Sequence, residues 1–252
     1  MITHITAFIL GIVEGFTEFL PISSTAHLIL ASDLLRIAQS DFTKTFEIVI
    51  QGGAILAVVA LYWHRFLEWE SLKKIVAAFI PTGILGLALY KVVKTYLLGD
   101  TAVVLWSLAA GGVALILFEK LFAEKDTVAN IKDITYKQAV GIGLFQSIAM
   151  VPGVSRSAAT IVGGMILGIR RELIVEFSFL LAVPTMLAAT GLDLVKSAHS
   201  FSASQFGVLA IGFAVSFVTA IVGIKFLLGY VRHHTFTAFG VYRILLVLAF
   251  LV

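Results

Sequence analysis

The sequence contains no cysteine and few charged residues. Of its 252 residues, 13% are charged, and the formal net charge is +3. The absence of cysteine excludes disulfides, thiol nucleophiles and cysteine-ligated metal sites. No run of lysine and arginine with interleaved aromatic residues is present, which excludes a nucleic-acid partner. The N-terminus has no basic region before its apolar run, and glutamates interrupt that run, so a cleavable signal peptide is not predicted.

Hydrophobic residues are abundant in the sequence. They make up 60% of the chain, against about 45–50% in an average soluble domain. Long apolar runs with so little charge are typical of proteins that cross a membrane several times. The sequence therefore predicts an all-α polytopic membrane protein, built as a single integral membrane domain over residues 1–252.

Six stretches are long and apolar enough to cross a bilayer core, which takes about 20 helical residues. Their approximate bounds are 46–63, 74–93, 101–121, 174–193, 205–229 and 235–252. Two further apolar regions, 2–36 and 137–169, are interrupted by "FLPISSTAH" and "VPGVSRSAAT". Proline disfavours helix in the residue before it, so each region is predicted as helix, break, helix. Because broken backbone at membrane depth must lie inside protein or beside water, both regions are expected to be re-entrant.

The two broken regions resemble each other. A shift of 132 residues aligns Glu14 with Gln146 and Ser23 with Ser155. Three spanning helices separate the copies, so the second copy enters the membrane from the opposite face. This predicts an inverted-topology repeat, in which a binding site usually lies near the membrane midplane where the broken helices meet. The predicted halves are approximately 1–125 and 130–252.

Lysine and arginine residues predict the orientation in the membrane. The face that carries more of them is cytoplasmic by the positive-inside rule, which leaves both termini outside. On that face lie Arg65, Lys73, Lys74, Lys125, Lys132, Lys137, Arg170, Arg171 and Arg232. The opposite face has Arg36, Lys44, Lys91, Lys94 and Lys196. The first broken region then lies on the outer side.

Two glutamates in the first broken region are candidate site residues. Glu14 and Glu18 are four residues apart and share one face of a helix. Such a pair can hold Mg²⁺ or Ca²⁺, or one carboxylate can act as a base. The plainer alternative is a pair that faces a polar cavity and binds no metal. A functional role for the two glutamates is preferred over this alternative, because ionisable groups inside membranes are costly and usually functional.

Serine residues at the two breaks predict anion binding. Ser23 and Ser24 follow Pro21 and are suited to cap the next helix, and Ser155 takes the same place in the second region. Serine caps are common and would mean little alone. A helix N-terminus with hydroxyl donors forms an anion site, however, and Arg156 adds a guanidinium that matches phosphate oxygens. The expected ligand is therefore phosphate.

Other polar residues follow these two helix starts. His27 could face the anion as general acid, base or nucleophile, although a lone histidine on an apolar helix is more often a core residue. Thr160 could add a hydroxyl donor. Arg243 either lines the cavity or extends to the membrane interface. The roles of Glu47 and Gln51 stay open.

This set of residues suits hydrolysis of a phosphoanhydride, which needs little beyond positioning and neutralisation of charge. A site among membrane helices further predicts a substrate with a lipid tail. The main rival is a transporter or flippase that binds a lipid phosphate without hydrolysis. Another lipid-phosphatase design, with the motif SRxxxxxH, is disfavoured because Val162 stands at its histidine position. A purely structural protein would not place so many polar groups in apolar segments.

Five motifs in order resemble the signatures of the bacterial undecaprenyl-diphosphate phosphatase family of the bacitracin-resistance type: "GIVEGFTEFLPISSTAHL", "FEIVIQGGAILAVV", "PGVSRSAATI", "FSFLLAVPTMLAA" and "FTAFGVYRI". The resemblance spans essentially the whole chain. It implies an inner-membrane enzyme that removes the terminal phosphate of undecaprenyl diphosphate, recycles the carrier for peptidoglycan and confers bacitracin resistance. It also implies a divalent cation, Mg²⁺ or Ca²⁺, and a site open to the periplasm. The expected partners are the polyprenyl diphosphate and the bilayer, and a homodimer is left open.

The resemblance also implies roles for individual residues. The cation ligands are expected to be Glu14 and Glu18, and the phosphate-binding residues Ser23, Ser24, Ser155, Arg156 and Thr160. The catalytic residues are expected to be Glu18, Ser24, His27 and Arg156. We expect Ser24 to attack the phosphate while His27 or Glu18 takes the proton, with Ser23, His27 or a metal-bound water as alternative nucleophiles. Ala26 stands where the family pattern has glycine, and so does Ala159 or its neighbour; each adds a methyl group next to the phosphate site.

Overall fold

In the computed structural model, the described residues are 2–38, 40–97, 100–122, 128–197 and 205–251. Lys125, which the orientation argument used, lies outside them. The described part of the chain folds into helices: α1 His4–Thr17, α2 Ser24–Leu34, α3 Asp41–Leu67, α4 Trp69–Val92, α5 Thr101–Leu121, α6 Tyr136–Ser147, α7 Arg156–Ile166, α8 Arg171–Ser197, α9 Phe206–Val231 and α10 Thr237–Leu251.

Five of these helices are long and apolar enough to cross a membrane: α3, α4, α5, α8 and α9. They correspond to five of the six predicted stretches. The sixth, 235–252, is the helix α10, which has only 15 residues. Its length is about 22 Å at 1.5 Å per residue, short of a hydrocarbon core of about 30 Å. The helix starts late because the chain turns after α9, where the backbone N–H groups of His233 and His234 bond to the carbonyl of Tyr230.

Both predicted breaks are present. Between α1 and α2 the chain turns over 18–23, and Ser23 has a φ of 69° while its side chain caps α2. Between α6 and α7 a short 3₁₀ turn, Ile148–Met150, leads into Gly153, which has a φ of 91°. A Cβ atom on Gly153 would overlap the carbonyl of Val104, so both the conformation and the space require glycine there.

The helices of the two broken regions pack in matching ways. Helix α1 lies against α9, and α6 lies against α4. Glycine permits close approach in both pairs: a Cβ atom on Gly11 would lie 2.8 Å from the Gly212 carbonyl, and one on Gly143 would overlap the Ala78 carbonyl. Helix α3 also contacts α9, α8 contacts α4, and α5 pairs with α10.

The first break lies inside the helix bundle. Phe19 and Ile22 belong to the largest cluster of buried apolar side chains, together with Phe177 and Phe179 of α8. The rings of Phe19 and Phe179 meet edge to face, with centroids 5.4 Å apart. Exposed apolar residues such as Trp106 and Leu87 instead cover the outer surface, as expected where helices face lipid. The packing therefore places the polar residues of the break in the protein interior.

Candidate active site

The carboxylate of Glu18 is the centre of the candidate site. One oxygen accepts a hydrogen bond from Nη2 of Arg156 at 2.7 Å, and the other accepts a short hydrogen bond from the hydroxyl of Ser24. Ser24 and Arg156 are the first residues of α2 and α7. The N-termini of both half-helices therefore meet at one carboxylate, and the ion pair is nearly buried, with side-chain exposures of 13% for Arg156 and 8% for Glu18.

The Arg156 guanidinium is fixed on several sides. Nη1 donates to the carbonyl of Ser178 at 3.0 Å, and the guanidinium carbon lies 5.7 Å from the ring centroid of Phe19. The Nε atom is buried and has no hydrogen-bond partner among the described residues. Because buried donors are normally satisfied, this N–H is suited to bind an oxygen of a ligand.

Hydroxyl groups at the start of α7 connect the second broken region to the first. Ser155 caps the helix by accepting the N–H of Ala158, and the hydroxyl of Ser157, 2.9 Å away from that of Ser155, donates to the Leu20 carbonyl. The hydroxyl of Thr160 lies 2.6 Å from that of Ser178 and also contacts carbonyls of its own helix. Phosphate binding by Thr160 stays a prediction, since its hydroxyl already has partners within the protein.

The hydrogen bonds of His27 differ from the expected contact with a bound anion. Nδ1 lies 2.7 Å from the carbonyl of Ser23, and Nε2 lies 2.8 Å from the hydroxyl of Tyr242. A carbonyl can only accept, so Nδ1 carries the hydrogen and Nε2 is the acceptor in the neutral ring. Both nitrogens are thus engaged. The hydroxyl of Ser24 bonds to Glu18 instead, which makes Glu18 the better placed proton acceptor.

Glu14 lies one helical turn before Glu18 and is completely buried. Neither of its carboxylate oxygens has a hydrogen-bond partner among the described residues. At the matching position of the second broken region, Gln146 donates to the hydroxyls of Thr82 and Thr185, both at 3.0 Å. An unpartnered buried carboxylate is costly, and a cation would compensate it. The described residues contain no group of three or more acidic or histidine side chains that could hold a metal ion, and cation binding by Glu14 and Glu18 stays a prediction.

Arg243 does not extend to the membrane interface, which resolves one of the open alternatives. Its side chain is 1% exposed and donates from Nε to the Leu108 carbonyl at 3.0 Å. Nη2 donates to the carbonyl of Gly153 at 3.0 Å, and Nη1 reaches that of Pro21 at 3.5 Å. One guanidinium therefore joins the two breaks to α5. Gly111 provides the space, because a Cβ atom there would overlap Nη2.

Some site residues were missed by sequence reasoning, and others stay undecided. Tyr242 and Ser178 each hold a predicted site residue, but their partners are distant in sequence and no local pattern reveals them. Tyr242 does lie beside Arg243 in the motif "FTAFGVYRI", which was the available signal. Glu47 and Gln51 are both half-buried on α3. Ala26 is buried in the first turn of α2, where alanine is favourable.

Comparisons with known proteins agree along the length of the chain. The family model described as bacitracin resistance protein BacA matches residues 7–249. An undecaprenyl-diphosphatase of Aquifex aeolicus is 51% identical over 250 residues, which cover 98% of this chain and 97% of the relative. An undecaprenyl-diphosphatase of Bdellovibrio bacteriovorus is 50% identical over 252 residues, which cover 99% and 95%. One of a Sulfurihydrogenibium species is 51% identical over 245 residues, which cover 97% and 96%.

Proposed function

The chain belongs to the family of bacitracin resistance protein BacA, and we infer that it is an undecaprenyl-diphosphatase. It hydrolyses undecaprenyl diphosphate to undecaprenyl phosphate and inorganic phosphate, which returns the lipid carrier to cell-envelope synthesis and gives bacitracin resistance. The observation that carries this function is the arrangement around Glu18, where a serine hydroxyl and an arginine converge from two helix N-termini. A helix N-terminus favours phosphate, and here the side chains of the first residues of two helices meet at one carboxylate.

We propose that Ser24 is the nucleophile and Glu18 its base. The Ser24 oxygen forms a bond to the terminal phosphorus, the bond to the bridging oxygen breaks, and undecaprenyl phosphate leaves. Glu18 takes the serine proton through the hydrogen bond that already joins them. The oxygen of a water molecule then bonds to the phosphorus and releases one proton to solvent, the bond between phosphorus and the Ser24 oxygen breaks, Ser24 takes back the proton held by Glu18, and inorganic phosphate leaves. The buried guanidinium of Arg156 neutralises the phosphoryl oxygens in both steps.

Glu14 and Glu18 would hold the divalent cation, Mg²⁺ or Ca²⁺. The two orphaned oxygens of Glu14 support this assignment, because oxygen donors are what these hard cations prefer. When bound, the cation supplies positive charge to the oxygens of the diphosphate.

The protein crosses the bacterial membrane several times, and we propose the inner membrane, an inverted repeat and a periplasmic site. The matched contacts of α1 with α9 and of α6 with α4 support the repeat with two re-entrant regions. Three arginines predicted to be cytoplasmic, Arg65, Arg170 and Arg232, line one cavity, and this clustering supports the proposed orientation with both termini outside.

Phosphate release from a polyprenyl diphosphate by the purified protein in detergent tests the function. We expect release that stops with EDTA and returns with Mg²⁺ or Ca²⁺. The variants Ser24→Ala and Glu18→Gln should each lose at least a hundredfold in kcat, whereas Ser40→Ala, which removes a helix cap on α3, should keep normal turnover. Binding of the lipid without any phosphate release by the wild type would instead support the transporter. A phosphorylated residue other than Ser24 in trapping experiments would refute the assigned nucleophile.

A further inference from the structure

Tyr242 and His27 form a close pair across the fold. Besides the 2.8 Å contact between the tyrosine hydroxyl and Nε2, the two rings stack with an interplanar angle of 8° and centroids 5.6 Å apart. His27 lies in the first turns of α2, and Tyr242 lies on α10, so the contact joins distant parts of the chain. Nδ1 contacts the carbonyl of Ser23 at 2.7 Å. The pair therefore has a defined donor direction from tyrosine to histidine to backbone.

Helix α10, which carries Tyr242, packs against α5, which has no tyrosine at the corresponding position. Helices α5 and α10 cross at Gly112 and Gly240, where a Cβ atom on each would lie within 2.8 Å of the other's carbonyl oxygen. From these glycines the sequences run in parallel, "GVALIL" in α5 and "GVYRIL" in α10. Tyr242 thus corresponds to Ala114 and Arg243 to Leu115, so both polar residues of the α10 segment have apolar counterparts in α5.

The same asymmetry marks the residues around the candidate site. In the aligned broken regions, Glu14 corresponds to Gln146, Glu18 to Met150 and His27 to Ala159. Glu14 and Gln146 are both polar, whereas Glu18 and His27 correspond to apolar residues; Glu18 bonds the first residue of α2, and His27 lies on that helix. Tyr242 follows this pattern, because the polar member of its own pair reaches that site by bonding His27.

We propose that Tyr242 is a positioning residue that acts through His27 to place the nucleophile, an inference that rests on the proposed function. By donating its O–H to Nε2, Tyr242 selects the tautomer with hydrogen on Nδ1. That hydrogen binds the carbonyl of Ser23, a non-glycine residue with a φ of 69°, which costs free energy unless its surroundings hold it. Ser23 precedes Ser24 directly. The chain of contacts therefore fixes the direction in which the Ser24 hydroxyl meets Glu18.

The variant Tyr242→Phe tests this role because it keeps the ring and removes only the hydroxyl. We expect kcat for phosphate release to fall about tenfold or more while KM stays within about twofold, because the placement of Ser24 changes while the Arg156 guanidinium keeps its contacts with Glu18 and the Ser178 carbonyl. The matched control is Tyr96→Phe, which removes a hydroxyl from a tyrosine that is 74% exposed, and it should match the wild type. Thermal unfolding and gel filtration in detergent verify that each variant is folded.

A double-mutant cycle with His27→Asn separates positioning from packing. Asparagine keeps a donor near the place of Nδ1 but offers no second nitrogen to Tyr242. In that background Tyr242→Phe should change kcat less than twofold. Equal losses in both backgrounds, or normal kcat in the single variant, would overturn the inference. Absence of phosphate release by the wild type would instead refute the proposed function, so the two failures are distinguishable.

Discussion

Replacement of Glu14 by glutamine should change stability and activity in opposite directions. The carboxylate is fully buried and its oxygens have no partner among the described residues. Without a cation, a carboxyl in this position either keeps its charge at a cost of several kcal/mol or takes up a proton, which near neutral pH also costs several kcal/mol of folding free energy, whereas an unsatisfied neutral amide costs about 1–3 kcal/mol. In the absence of cation, Glu14→Gln should therefore gain about 1 kcal/mol or more. For a chain of this size that gain raises the melting temperature by about 2–4 °C.

The same substitution should abolish the response to cation. A neutral amide keeps the shape but loses the charge that binds Mg²⁺ or Ca²⁺, so phosphate release should fall at least a hundredfold. Melting curves in detergent, recorded with EDTA and with added Mg²⁺, measure the stability without cation and its change on cation binding, and turnover assays measure phosphate release. The wild type should be stabilised by the cation through mass action, and the variant should not be. Normal turnover in Glu14→Gln, or a cation-dependent rise in its melting temperature equal to that of the wild type, would refute the reasoning.

Gln146 lies at the position of the second broken region that matches Glu14, so the reverse substitution, Gln146→Glu, serves as a control. Gln146 uses its amide N–H groups to bond the hydroxyls of Thr82 and Thr185, which themselves donate to the backbone carbonyls of Gly143 and Leu181. In Gln146→Glu, a carboxylate would lie next to the hydroxyl oxygens of Thr82 and Thr185. Neither hydroxyl could donate to it, because each already donates its hydrogen to a backbone carbonyl. We expect a loss of about 3 kcal/mol or more in stability, with normal phosphate release per folded molecule.

Two further substitutions test the arginines of the site. Arg156→Lys should reduce kcat at least a hundredfold, because an ammonium cannot bond Glu18, the Ser178 carbonyl and a phosphate oxygen as the planar guanidinium can; turnover assays check this, and near-normal activity would contradict it. Gly111→Ala should destabilise the protein by about 1–3 kcal/mol, because the added methyl overlaps the guanidinium of Arg243. Its control is Gly52→Ala, where the nearest neighbour is 3.6 Å away, and equal melting temperatures of the two variants would argue against the steric reasoning.

The parts of the fold that depend on local sequence were the predictable ones. Apolar run length identified five spanning helices, and proline with serine located both breaks within a few residues. The stretch 235–252 contains the helix Thr237–Leu251, which lies within a few residues of the predicted bounds, but the turn after α9 leaves this helix shorter than a spanning helix needs to be. Hydropathy along the sequence indicates which residues can lie in lipid, but it does not indicate where the backbone turns.

The candidate site was predictable in its residue types and less so in its contacts. The glutamates, serines and Arg156 follow from the cost of polar groups in apolar segments. The distinction between Glu18, with two partners, and Glu14, with none among the described residues, depends on α7 reaching across from the second broken region. The partner of His27 was likewise invisible, since Tyr242 lies more than 200 residues away. Long-range pairings of this kind leave no spacing pattern in a single sequence.

The hydrogen bonds of Arg243 have a consequence for biosynthesis. Chains emerge from the ribosome N-terminus first, so the carbonyls of Pro21, Leu108 and Gly153 are synthesised well before the guanidinium that binds them. Backbone groups without partners are costly at membrane depth. We therefore expect the nascent protein to keep the carbonyls of both breaks hydrated until α10 packs against α5. Insertion of that short helix is then the event that closes the interior, and a ribosome stalled before it would leave a protein open to membrane quality control.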